Sequence, residues 1–144
     1  MNAGGGCLLL IAASTSVMRL RRQLATMEYW QKYREMLEKT IPPSENLVDR
    51  DALLSYISGL LKSASLIPTT CEVLHVAHTY SSVEEVERVH MSLNPISTLV
   101  TDEEKPLLLK DVAEYAAKLW AEKDSGYSPF RLPMFLVRAY KPRP

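Results

Sequence analysis

Proline sets the first limit on how this 144-residue chain can fold. Nine prolines are spread along it, at positions 42, 43, 68, 95, 106, 129, 133, 142 and 144. Each lacks the amide donor that a helix interior needs and pushes the residue before it out of the helical region. After residue 41 the chain is thereby cut into segments, each with room for one helix or strand between breaks.

Between these breaks, apolar residues recur at steps of three and four. Leu20, Leu24, Met27, Trp30, Leu37 and Ile41 predict a first helix from about Val17 or Met27 to Thr40, stopped by Pro42-Pro43. A second, from about Asp49 to Ala64, carries Leu53, Ile57, Leu60, Leu61 and Ala64, with Asp49 or Asn46 as its cap. "CEVLHVAHTY", residues 71–80, alternates only roughly and is short enough for strand or helix. With helices on both sides and no second strand to pair with, it is read as helix. Ser82 and Glu85 form a capping-box pattern before Val83, Val86, His90 and Leu93, and Asn94-Pro95 ends that helix. The last helix starts either at the Thr101/Glu104 box or at Pro106. It runs on Leu108, Val112, Tyr115 and Leu119 to about Lys123. The expected class is all-α, a small array of four to five helices.

After Ser125-Gly126 the pattern changes. "YSPFRLPMFLVRAYKPRP" holds four prolines, four basic residues and many apolar ones. It reads as an extended basic-aromatic arm that needs a surface to lie on. Three regions follow: 1–27, a mitochondrial targeting segment or an N-terminal extension; 28–124, a helical domain; and 125–144, the arm.

Charge is unevenly placed although the formal net charge is zero. Residues 1–27 hold Arg19, Arg21 and Arg22 and no acid. Residues 28–124 hold ten Lys/Arg against all seventeen Asp/Glu, and the tail has Arg131, Arg138, Lys141 and Arg143 with no acid. An acidic body with basic ends argues against nucleic-acid binding, which needs a basic face. Cys7 and Cys71 allow at most one bridge, so the chain has no disulfide framework.

The opening segment reads as an address or as an unprocessed, frayed N-terminus leading into the first helix, and the address is the expectation taken. A secretory signal places its positive charge before the apolar run, and here the arginines follow it. A transmembrane helix needs about 20 apolar residues, and the run from Cys7 to Ala13 ends at Ser14-Thr15-Ser16. Arginines, hydroxyl residues, no acid and the helical side Val17, Leu20, Leu24 fit a mitochondrial transit peptide. The location expected is the matrix or the matrix face of the inner membrane.

No sequence pattern supplies a reaction. GxSxG, Walker, GxGxxG and HExxH motifs do not occur, and no catalytic residue or cofactor is expected. Cys71, His75 and His78 would share a stripe on a helix, with His90 as a fourth ligand. That spacing matches no common zinc site, so packed or partly exposed histidines are the simpler expectation and no metal is assigned. Glu84, Glu85 and Glu87 point different ways on a helix and read as a solvated face. Aromatic and arginine residues favoured at protein interfaces single out Trp30, Tyr33, Phe130, Arg131, Phe135, Arg138, Tyr140, Lys141 and Arg143 as partner-binding candidates.

"YREMLEKTIPPSENLVDRDALLSY", Tyr33 to Tyr56, resembles the opening of a family of small helical mitochondrial assembly factors. These support cytochrome b synthesis and assembly of the ubiquinol–cytochrome c reductase. The shared features are Tyr33-Arg34, Leu37, the proline after the helix at Pro42/Pro43, and Arg50-Asp51 opening the next helix. They cover about a sixth of the chain, and the family's tryptophan before proline is replaced by Ile41. "KYREML" is also similar to mitochondrial Leu-Tyr-Arg proteins, with Lys32 in place of the leucine. Either resemblance implies a non-enzymatic protein that binds other proteins. The expected function is an accessory or assembly component of an inner-membrane respiratory complex, touching protein subunits and, peripherally, anionic lipid, with no transmembrane span. A mitoribosomal subunit is the alternative, and a small metal-binding protein a distant third.

Overall fold

The computed structural model describes residues 4–144. It overturns the all-α expectation: five helices are joined by a three-stranded antiparallel sheet. In chain order the elements are β1 (Gly6–Ala12), α1 (Ser16–Thr26), a 3-10 turn (Glu28–Tyr33), α2 (Arg34–Lys39) and a second 3-10 turn (Pro43–Asn46). Then come α3 (Arg50–Ser63), β2 (Ile67–Ala77), α4 (Val83–Ser92), α5 (Lys105–Ala121) and β3 (Arg131–Tyr140). The chain divides into two compact units, each assembled from separated stretches.

The first unit takes the N-terminal residues to Ser14, Pro43–Val76 and Leu132–Pro144. Its strand order is β1-β3-β2, so the C-terminal strand lies in the middle. β1 runs antiparallel to β3 with Gly6 opposite Tyr140 and Ala12 opposite Met134. The arm expected after Gly126 is thus the central strand of a sheet. "CEVLHVAHTY" is largely strand, not helix: Ile67, Thr69, Thr70, Val73 and Val76 are β-branched and fit a pleated surface better than a helix. β1 is built from the uncharged run that looked too short for a membrane span. At seven residues it has ordinary strand length.

Helix α3 provides the apolar stripe that one sheet face needs. Leu53, Ile57 and Leu61 are buried with Val73, Phe135, Val137, Ala139 and Ala13, and Cys7, Leu9 and Cys71 pack at the edge. Asp49 caps α3 by accepting the Ala52 amide at 3.1 Å. At the other end Ser65 takes a left-handed φ of 57°. That turn lets the Leu66 amide reach the Leu61 carbonyl at 2.8 Å and the Ser65 amide reach Lys62 at 3.0 Å, closing the helix before β2.

Pro133 sits in the central strand, where proline is normally excluded. Its carbonyl accepts the Ala13 amide at 2.9 Å, but it has no N–H to return to Ala13. The hydroxyl of Ser44, itself buried, donates to the Ala13 carbonyl at 2.7 Å instead. The turn holding Ser44 thereby repairs the one ladder bond that the proline removes.

The second unit comprises Thr15–Pro42 and Ala77–Arg131. Leu20, Leu24, Trp30, Leu37, Val86, Ile96, Leu108, Val112, Ala116, Leu119 and Phe130 form its core. The expected first helix is broken into α1, the 3-10 turn and α2; the aromatic-rich stretch "EYWQKY" has poorer helix propensity than its flanks. The cap expected for α4 is present. Ser82 accepts the Glu85 amide at 3.2 Å. Thr101 and Glu104 exchange both bonds of a capping box, at 2.9 and 3.2 Å, in the turn that leads into α5, while the helix itself starts at Lys105 with Pro106 in its first turn, the alternative start.

Removing residues 134–144 should abolish the sheet, since β1 and β2 each pair with β3 and not with each other. Loss of the strand signal in circular dichroism, with much of the helical signal retained, is the expected result. Ser44→Ala should leave the Ala13 carbonyl unpaired and cost about 1–3 kcal/mol, read as a lower urea midpoint with an unchanged slope.

Candidate protein-binding surface

Strand alternation sends successive side chains to opposite faces. In β3, Phe135, Val137 and Ala139 are buried toward α3, so Met134, Leu136 and Arg138 lie on the outer face. The register places Ala12 opposite Met134, Leu10 opposite Leu136 and Leu8 opposite Arg138 on that same face. On β2, Val73 is buried inward, which turns Glu72, Leu74 and Val76 outward. Leu8 is 72% exposed, Leu10 59%, Val76 42% and Leu74 36%. An apolar sheet face is therefore open to solvent, with Arg138 on it and Lys141 and Arg143 following in the chain. Contiguous apolar surface of this kind marks interaction sites.

The candidates named from sequence divide by burial. Trp30, Phe130 and Phe135 are fully or almost fully buried and belong to the two cores. Trp30 donates its indole N–H to Asp111 at 2.7 Å. Tyr33 is half-buried and donates to Glu104 at 2.6 Å. Arg131, Arg138, Tyr140 and Arg143 are exposed and Lys141 is half-exposed, so these five remain available to a partner. The helical stripe proposed for Cys71, His75 and His78 does not form, because its first two members lie on β2. Four residues of strand separate Cys71 from His75 by about 13 Å. His78 lies beyond the strand, edge-on to Tyr80 with ring centroids 4.4 Å apart. Among the described residues no three His, Cys, Asp or Glu side chains are grouped to hold a metal.

His90 is instead a core residue. Its Nδ1 lies 2.7 Å from the Val86 carbonyl, which can only accept, so Nδ1 carries the proton. Nε2 then accepts from the Ser16 hydroxyl at 2.8 Å. Tyr115 donates to the Ser16 carbonyl at 3.1 Å. Burial pushes the His90 pKa down and keeps the ring neutral. A serine–histidine pair at hydrogen-bond distance has the outline of an activated nucleophile. Here neither group reaches solvent, and a backbone carbonyl stands where a catalytic carboxylate would orient the ring. The pair ties α1 to α4.

The arginines of the opening segment are also engaged. Arg21 donates to the Thr40 carbonyl at 3.0 Å and the Leu93 carbonyl at 2.8 Å, the C-terminal caps of α2 and α4. A guanidinium there meets the negative ends of two helix dipoles. Arg19 donates to the Pro129 carbonyl at 3.0 Å.

Glu104 is the most perturbed acid. The Thr101 amide, then Tyr33 and Lys32, stabilise its carboxylate and lower its pKa to about 2; Lys32 lies 2.9 Å away. Grooves in this unit are shallow and mixed in charge. The one along α4 and α5, about 500 Å³, is lined by residues that include Glu84, Glu87, Arg88, Lys105 and Leu109.

The sequence matches no protein-family model and no curated protein. No helix among the described residues is long and apolar enough to cross a membrane. The fold and the surface together define a two-unit α/β chain with an open apolar sheet face.

Glu104 gives a pH test. Its folded pKa is depressed, so the stability it contributes is present above the ordinary value of 4.5 and is lost as pH falls toward 2. Urea unfolding across that window should show wild type converging on Glu104→Gln, with the two well separated at neutral pH.

Proposed function

We propose that this chain is a non-enzymatic protein-binding component that docks a partner on the outer face of its sheet. The observation that carries this is the exposure of Leu8, Leu10, Leu74 and Val76 on one face. Arg138 shares that face, and Lys141 and Arg143 follow it. The fitting partner offers an apolar patch rimmed by acidic residues: the leucines and valine supply burial, and the basic residues supply orientation and encounter rate.

The acid-free opening with Arg19, Arg21 and Arg22 supports a mitochondrial address, and the resemblance of Tyr33–Tyr56 to respiratory assembly factors supports an inner-membrane complex as the setting. On this reading the opening segment works without being removed, because β1 and α1 contribute Leu20, Leu24, Ala25 and the β1 ladder to the folded chain.

Tagged protein extracted from mitochondria in mild detergent should migrate on a native gel within a larger complex. Leu74→Asp with Val76→Asp, both exposed, should leave circular dichroism unchanged and release the protein from that complex. Wild type migrating at its own mass, or the variant staying in the complex, overturns the docking face. A reporter fused to residues 1–27 tests the address separately: it should enter mitochondria and stay cytosolic when the three arginines become glutamate.

A further inference from the structure

β1 is an edge strand, and its other edge carries no strand among the described residues. The ladder phase shows which groups are free. Ala13 donates to Pro133, so the odd-numbered residues of β1 turn their backbone groups toward β3. The N–H and C=O groups of Gly6, Leu8, Leu10 and Ala12 therefore point to the open edge. Proteins guard such edges with charge, proline or a bulge. β2, at the opposite edge, has Pro68 and Glu72. β1, "GCLLLIA", has no charge and no proline.

From this edge we infer that the chain forms a two-fold dimer by antiparallel pairing of β1 with β1 of a second copy. A register centred on Leu9 places Leu8 opposite the second copy's Leu10, and Gly6 opposite its Ala12. Both are pairs of even-numbered residues, the ones whose backbone groups are free, so each exchanges two hydrogen bonds. Cys7 then faces Ile11, and Leu9 faces its own copy in a non-hydrogen-bonded pair. The strand reads with near symmetry about Leu9: Leu8 meets Leu10 and Gly6 meets Ala12, and only the Cys7–Ile11 pair is unequal in size. Charge agrees as well. Arg138, opposite Leu8 on β3, is separated from its symmetry mate by both β1 strands, three strand spacings or about 14 Å. That exceeds the Debye length of about 8–10 Å in physiological salt. The dimer joins two three-stranded sheets into one of six and sets Leu8 and Leu10 of the two copies side by side on the same face.

Sedimentation of the full chain should give twice the 16.3 kDa monomer mass. Leu8→Lys with Leu10→Lys, two exposed positions, should return it to the monomer. Cysteine scanning fixes the register in a background with Cys7→Ser and Cys71→Ser. Non-hydrogen-bonded antiparallel pairs hold Cα atoms about 4.5 Å apart, within disulfide range. Leu9→Cys alone should therefore cross-link into a covalent dimer under mild oxidation. Leu8→Cys and Leu10→Cys should cross-link only when mixed. Wild type that remains monomeric at all concentrations overturns the inference, as does a dimer that survives the lysine pair or one in which Leu9→Cys fails to cross-link. If the lysine variant unfolds, the cysteine pattern decides alone.

Discussion

Two strands from opposite parts of this chain share one partner. β1 near the N-terminus and β2 in the middle each hydrogen-bond only to β3, which lies close to the C-terminus. The sheet, and the helix packed on it through Leu53, Ile57 and Leu61, exist only when all three have met. The closing loops are long, and their entropy must be overcome before any ladder bond forms. Even the proline in the central strand is accommodated by a third stretch of chain, through the Ser44 hydroxyl.

The second unit relies on a different device. Its helices run from six to seventeen residues, and helices of such length in proteins take most of their stability from packing. Polar side chains add fixed ties across long separations in the chain. Ser16 and His90 join α1 to α4. Arg21 serves the ends of α2 and α4 at once. Trp30 and Asp111, and Tyr33 with Lys32 and Glu104, fasten the 3-10 turn to α5 and to the turn before it. The carboxylate of Glu104 gathers three bonds, from Tyr33, Lys32 and the Thr101 amide, which is why it resists protonation.

These ties also change how the opening arginines are read. Charge without acid looks like an address, yet Arg19 and Arg21 hold backbone carbonyls in the folded chain. The two roles are compatible, because a segment can be recognised while extended or helical and packed afterwards. The proposed docking face and the proposed dimer edge meet at Leu8 and Leu10. Pairing the two β1 strands would turn two narrow apolar faces into one broad face flanked by two basic tails.

Much of the helical part was legible from residues alone. The stripes of α3, α4 and α5, the caps at Asp49 and Ser82, the start of α5 near Pro106, and the stops at Pro42-Pro43 and Asn94-Pro95 are local signals that act within a turn or two. The strands were not legible in the same way. A strand is stable only against its neighbour, and β1 lies more than a hundred residues from the strand it pairs with. The run "CLLLIA" thus looked like a truncated membrane segment, β2 like an ambiguous helix, and β3 like an arm in search of a surface. The aromatic residues that composition offered to a partner, Trp30, Phe130 and Phe135, went to the cores, because burying a large ring stabilises the fold most. The surface left open was set by aliphatic residues of β1 and β2 instead. Sequence determined where α3 and α4 begin and where α2 and α4 stop, through caps and prolines, but not the break between α1 and α2. Only tertiary structure decided which strands meet and which face stays bare, because pairing and burial depend on residues that are distant in the chain.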